Sequence, residues 1–235
     1  MRRIRLILRV FVLLVAGVFL HYVLPQHDIA RITGTEIMRQ DFSTWNHWFY
    51  AQADSGNVQG TTRDVRLINT VRQRTWLFGL VRGGEQIMVY RNEDTGWIWP
   101  PYFKFDSSDL QAEAQDLTST AAAPQWVVIR HYGWRNRFLT IYPNATAMWS
   151  IPDDRPADQR GTPPDYRVIP WFNIFFFVFL GVVWGFIQIM WKQFRQRTVD
   201  PTVARVGETW DGIEANVTTQ QRRFRRWLDT WRRKK

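Results

Sequence analysis

The fold class this sequence predicts is a membrane protein of mixed α and β structure. Two transmembrane helices flank a β-rich extracytoplasmic domain with one short helix, and an amphipathic cytoplasmic helix ends the chain. Three observations predict this. Two apolar runs are long enough to cross a bilayer, the stretch between them alternates short branched and aromatic runs with turn residues, and the excess positive charge sits outside that stretch.

The first apolar run, in segment 1–24, reads IRLILRVFVLLVAGVFLHYVL from Ile4. About 20 residues of helix, at roughly 1.5 Å rise each, span the hydrocarbon core. Arg2, Arg5 and Arg9 fall three and four apart, on one helix face where long stems snorkel to the membrane surface. The chain continues HYVLPQHD, without a small-x-small pair, so the segment reads as an uncleaved anchor rather than a signal peptide.

Segment 25–150 contains DIARITGTEIM, RDVRLINTV, EQIMVYRNE, QWVVIRHYGW and RFLTIYPNATAMW, separated by DSGN, RGGE and EDTG. Partial alternation between turn signals predicts a small antiparallel sheet, closed or half-closed. One helix interrupts it over 108–117, where Ser108 and Gln111 fit a capping box and Asp109 and Glu113 suit the positive end.

Segment 151–169 is rich in proline and reads as a stiff, solvated linker. The second span, 170–191, reads PWFNIFFFVFLGVVWGFIQIMW, and its Gly181 and Gly185 form a small-xxx-small packing face. The tail, 192–235, carries an apolar series at 3-4 spacing that includes Trp210, Phe224, Trp227 and Trp231, broken only by Gln220. Two arrangements fit it: flat on the cytoplasmic leaflet with arginines near anionic headgroups, or paired as a heptad-like seam with another helix. Its tryptophans and basic end favour the lipid bilayer surface; self-association or a protein partner, through the second span or the tail, is the other expectation.

Charge sets the orientation. Residues 1–24 hold four arginines and no acid, 25–169 hold fifteen basic against sixteen acidic residues, and 170–235 hold twelve against five. Basic residues near a membrane stay cytoplasmic, which places both termini there and residues 25–169 across the membrane. The net charge of +10 thus reports topology, and no nucleic-acid partner is expected. There is no cysteine, so the domain has to be held by its own core, and fourteen Trp and sixteen Phe supply an aromatic one.

Catalytic motifs are missing: no Cys nucleophile, no H-E-x-x-H, no G-x-S-x-G and no Gly-rich phosphate loop. No cofactor and no metal are expected, since the four histidines are scattered and the acids around Glu93 and Asp94 match no calcium loop. Lys104 reads as a surface charge, with Ser107 and Ser108 as helix caps. What stands out is an aromatic and polar combination: Arg91, Glu93, Asp94, Trp97, Trp99 and Tyr102 in YRNEDTGWIWPPYFK, and His131, Trp134 and Arg135 in IRHYGWRNRF. These residues suit a ligand surface for a sugar or peptide. They equally suit a disulfide-free core, or a domain resting on headgroups.

Four strings, FLHYVLPQHDIARI, the stretch from VYRNEDTGW to WPPYFKFDSSDLQAEAQDL, QWVVIRHYGWRNRFLTIYPNA and VIPWFN, resemble an uncharacterised family of small bacterial inner-membrane proteins with a domain of unknown function, over about residues 15–180. The resemblance implies a bacterial envelope location and no activity; together with the two spans and the charge balance it gives the expectation of a multi-pass inner-membrane protein with residues 25–169 periplasmic. The leading expectation is a non-enzymatic scaffold or accessory subunit of an envelope complex. The alternatives are an envelope sensor that binds a glycan or peptide through the aromatic and acidic surface, and an enzyme acting on envelope glycan or lipid with Glu93, Asp94 and His131.

Overall fold

The computed structural model describes residues 2–41, 49, 62–76, 81–96 and 100–232. The chain divides into two compact units, Met1–Asn173 and Ile174–Lys235.

The first unit begins with helix α1 (Arg2–Val23) and continues into five strands: β1 (Gln26–Asp41), β2 (Thr62–Trp76), β3 (Val81–Arg91), β4 (Trp126–Tyr132) and β5 (Asn144–Ser150). Their order is β1-β2-β3-β5-β4, with β4 returning to β1, so the sheet closes into a barrel. All contacts are antiparallel except the closing one, where Arg91 pairs with Asn144 in parallel. Helix α2 (Ser107–Asp116) lies between β3 and β4 in sequence. A closed five-stranded Greek-key barrel with one helix at this point is the architecture of the OB-fold.

Alternation builds the interior. Ala30 and Ile32 of β1, Ile68 of β2, Met88 and Tyr90 of β3, Val127 and Ile129 of β4, and Ala145 and Met148 of β5 form one buried cluster. Leu110 and Ala114 of α2 join it, so the helix plugs the barrel. On the outer face Ile29, Trp126, Val128 and Ile151 form a second cluster against Trp149 and Val168.

Five strands were expected and five form; β1, β2 and β3 run longer than the sequence runs suggested, and β4 and β5 are shorter. The RGGE stretch lies inside β3 instead of marking its start, with Gly83 and Gly84 in the strand. Conversely, only the second half of RFLTIYPNATAMW is strand; Asn136 and Ile141 bridge across a loop first. DSGN lies outside the described residues. Helix α2 starts one residue earlier than expected, and its capping box does not form. Instead Asp94 Oδ1 accepts the Ser107 amide at 2.9 Å, while Gln111 Oε1 accepts from Asn92 at 2.8 Å. A long-range cap has replaced the local one because the 92–96 segment already packs on the helix start.

The proline-rich segment is largely exposed, as expected of a solvated linker, but it is tied to the barrel at several points. Ile151 N donates to Trp126 O at 2.9 Å, Trp126 Nε1 donates to Arg160 O at 2.9 Å, and Arg82 pairs with Asp165 at 2.6 Å. It straps the outer face of β4 and β3 before the chain leaves at Pro170.

The described residues of the second unit are helical: α3 (Trp171–Phe194), which starts just before it, a π turn (Arg195–Val199) and α4 (Asp200–Arg232). Arg3–Val23 and Trp171–Thr198 are both long and apolar enough to cross a membrane, and neither is buried within the chain. A Cβ placed at Gly181 or Gly185 would meet nothing within 4 Å. Trp210, Phe224 and Trp227 are exposed, and Phe224 stacks on Trp227 at 5.8 Å; the Trp231 side chain lies outside the described residues.

Candidate functional site

The residues expected to form one ligand surface are distributed over three arrangements, two of them internal. The first closes the barrel. Arg91, 1% exposed, pairs through Nη1 with Glu93 Oε2 at 3.2 Å, and its guanidinium lies 6.0 Å from the Tyr132 ring centre. Asn144, opposite Arg91, accepts from the Glu93 amide and donates to Glu93 O and Tyr132 OH, at 3.0, 3.0 and 3.1 Å. A parallel contact of one residue pair is short, and these side-chain bonds supply what the ladder lacks. Lys104 belongs to the same region and corrects the expectation of a surface charge: it is 5% exposed. Its Nζ donates to Asn92 Oδ1 and, at 2.9 Å, to Ala145 O. Burial lowers this amine from the ordinary 10.5 to about 8, with Asp94, Asp106 and Glu93 holding it up in part.

A stability prediction follows from that depression. Between about 8 and 10.5 the unfolded chain binds more protons at Lys104 than the folded one, so stability rises with pH through that window. Below about 8 the full cost of a buried ammonium applies. Urea unfolding of the wild type against Lys104→Met, at rising pH, is expected to show this gain in the wild type alone. Parallel profiles would show that the buried amine does not titrate there.

The second arrangement grips the end of α1. The last four carbonyls of a helix have no partner within it. Here Leu24 N, Gln26 Nε2 and Gly133 N donate to Leu20 O, His21 O and Tyr22 O at 2.8, 2.7 and 2.9 Å, and Tyr102 OH donates to Val23 O. Tyr102 stacks on Tyr132 at 4.7 Å, and Trp134 meets Tyr22 edge-on at 5.1 Å while its indole N–H donates to His21 Nδ1. Tyr102 and Trp134 are therefore a socket for the anchor. Trp97 and Trp99 lie outside the described residues.

The third is a charged cluster inside the barrel, and its central residue was not among those expected. Asp28, 4% exposed, accepts from Arg72 Nη1 at 2.7 Å, from Tyr90 OH, and meets His131 Nε2 at 3.0 Å. Burial alone would raise its carboxyl. His131, Arg72 and Tyr90 outweigh that and hold it well below the usual carboxylate range. Tyr90 moves the opposite way: burial and the adjacent carboxylate push its phenol well above 10.0. His131 is thus an interior residue, and its Nδ1 is buried without a hydrogen-bond partner. A signal for Asp28 existed: it shares strand parity with the apolar pair Ala30 and Ile32 that follows it.

What remains open to a ligand lies elsewhere on the barrel. A cleft of about 600 Å³ runs along β2 and β3 beneath the β4–β5 loop, with Arg72, Arg135 and Arg137, and with Gln86, Asn136 and Phe138, on its walls. Of the seven described residues among those expected at a ligand surface, Arg135 alone lines it. Its guanidinium sits 4.1 Å over the Tyr142 ring and bonds Ile141 O at 2.9 Å, which fixes the loop. Phe138, at the loop tip, is 99% exposed. Among the described residues no group of three or more acids and histidines could hold a metal ion.

Barrel, socketed helix and cleft define the class: a small OB-type barrel carried between two helices of membrane-spanning length, with a basic cleft on its second and third strands. Within that class, the chain belongs to the family described as protein of unknown function DUF1523, which matches residues 1–195. It is similar to an uncharacterized protein of Haemophilus influenzae, 40% identical over 139 residues, which are 59% of this chain and 69% of that one. No solved structure matches it. The family match ends within the π turn, so α4 lies beyond it.

Proposed function

We propose that this protein is a non-enzymatic accessory subunit of the bacterial inner membrane, whose periplasmic barrel binds an anionic oligosaccharide of the envelope through the arginine-lined cleft. The observation that carries this is the position of the cleft. In OB barrels the second and third strands, with the loop between the fourth and fifth, are the face that takes oligonucleotides and oligosaccharides. Nucleic acid is not expected on the periplasmic side, and Arg137, on a wall it shares with the Asp28-paired Arg72 and the Arg135 stacked on Tyr142, suits a phosphate or carboxylate group. Phe138 offers an aromatic face beside them.

The membrane setting is supported by two apolar helices of membrane-spanning length whose apolar stretches are not buried within the chain, and by basic segments outside the barrel. A non-enzymatic role is supported by the fate of the acid–base candidates. Glu93 is paired with Arg91, Asp94 caps α2, and His131 is enclosed with Asp28. The architecture by itself is only an analogy for function.

The test is calorimetric titration of the detergent-solubilised full chain with a uronic-acid oligosaccharide and with its neutral counterpart. Binding of the acidic one alone, weakened at least tenfold by Arg137→Glu and by added salt, is the expected result. Equal binding of both sugars, or an unaffected Arg137→Glu protein of native circular dichroism, would sink the proposal.

A further inference from the structure

The exposed face of α4 has the geometry of a dimer seam. Its apolar series begins at Val203, ends at Trp231 and keeps strictly to alternating steps of three and four, which are a and d positions over four heptads. In the described part Trp210, Ile213, Val217, Phe224 and Trp227 are 66%, 48%, 51%, 60% and 52% exposed. With Leu228 at one e position as its single flanking member, a stripe that otherwise keeps to a and d is narrower than the apolar face of a helix lying on a surface.

Charge placement separates the two possible occupants. At about 100° per residue, Arg222 points roughly 170° away from the middle of the seam, and Arg225 and Arg226 roughly 130° away. With the seam turned into lipid, these guanidinium groups would face water and miss the headgroups. With the seam turned into another helix, the same groups lie on the outer b, c and f positions, where they are solvated. The flanking positions fit a parallel copy: successive g and e' residues would be Thr209 with Glu214, Asn216 with Gln221, and Arg223 with Leu228, with no like-charged pair. Gln220, the one polar residue at a d position, meets its own counterpart only when the two chains are in register.

We infer that α4 pairs with α4 of a second copy of this chain as a parallel, in-register, two-stranded coiled coil. The parallel direction rests on the membrane reading above, because two copies inserted the same way present their tails side by side. Continuity of helix through the π turn into α4 brings both seams out at the same height.

The absence of native cysteine makes the test direct. Single substitutions Ile213→Cys and Trp227→Cys at d positions, and Ala215→Cys and Arg222→Cys at f positions, are introduced into the full chain in native membranes and oxidised. Disulfide-linked homodimers at 213 and 227, at least fivefold above those at 215 and 222, are the expected outcome. With the Ile213→Cys and Trp227→Cys variants co-expressed, mixed 213-to-227 products without self-linkage mean an antiparallel pair and overturn the proposal. Linkage to a different protein overturns it as well. So does protection of 213 and 227 from a water-soluble maleimide, without crosslinks, only in vesicles containing phosphatidylglycerol, which is the result for a helix lying on lipid. Alkaline carbonate extraction is run alongside: a washed-off protein that still crosslinks at 213 and 227 refutes the membrane reading and leaves the coiled coil standing.

Discussion

Asp28→Ala is expected to destabilise the barrel by about 3–5 kcal/mol, the cost of breaking a buried ion pair by removing one partner. Arg72, Tyr90 and His131 all converge on one oxygen of this buried carboxylate. Alanine leaves the guanidinium and phenol without that acceptor in a space closed by the apolar cluster around Ile32 and Ile129. Asp28→Asn keeps an acceptor but loses the charge, and falls between. The pH dependence has a definite sign. Because the folded carboxyl is held below the ordinary 3.8, its contribution is fully present above that value and is lost as the medium becomes more acidic. The alanine variant should lack this part of the acid sensitivity. Urea unfolding in mild detergent, followed by tryptophan fluorescence, measures both. A midpoint change worth less than about 0.5 kcal/mol, the range of ordinary surface substitutions, would show that the cluster does not hold the barrel together.

Gly133→Val should be the second most damaging change, at about 2–3 kcal/mol, since strain at such a backbone position is of order 1–3 kcal/mol. Gly133 sits at φ +90°, where side chains are strained whatever the space. A Cβ there would already be in van der Waals contact, 3.5 Å from Pro143 Cα and 3.6 Å from the Tyr22 ring, so the γ-methyls of valine have to be fitted beside both. The same residue donates its amide to Tyr22 O at 2.9 Å, so the substitution loosens the grip on the end of α1 as well. Gly34→Val is the matched control, because nothing lies within 4 Å of a Cβ at Gly34. Unfolding midpoints of the two variants should differ clearly, and Trp134 emission should shift towards water in the first alone. Equal midpoints would mean that the socket contributes nothing to the fold.

Both residues show why the candidate site looked different in the sequence. YRNEDTG and RHYGW carry the residue types of a ligand surface, yet Arg91, Glu93, Tyr102, His131 and Trp134 are occupied in closing the barrel, filling it and holding α1. Composition cannot distinguish an aromatic and charged surface from an aromatic and charged interior, because the bonds available to each side chain are the same. The arginines of the cleft were less conspicuous: Arg72 lies in β2, and Arg137 in what read as the start of a strand.

What the sequence determined alone is what depends on neighbours along the chain. Length and apolarity of a run define a helix able to span a bilayer, and alternation between turn residues defines a strand; all five strands and both long apolar helices were legible on that basis. Parity even places Asp28, Tyr90 and His131 on inward faces of their strands. The tertiary structure decided the rest, because it depends on closure. Asp28 and His131 are 103 residues apart in sequence, and only the return of β4 to β1 puts them 3.0 Å from each other. The cap of α2 by Asp94, the grip of Gly133 on Tyr22 and the cleft beneath Phe138 have the same origin: each joins elements whose proximity is fixed by the order in which five strands close, and no local pattern encodes that order.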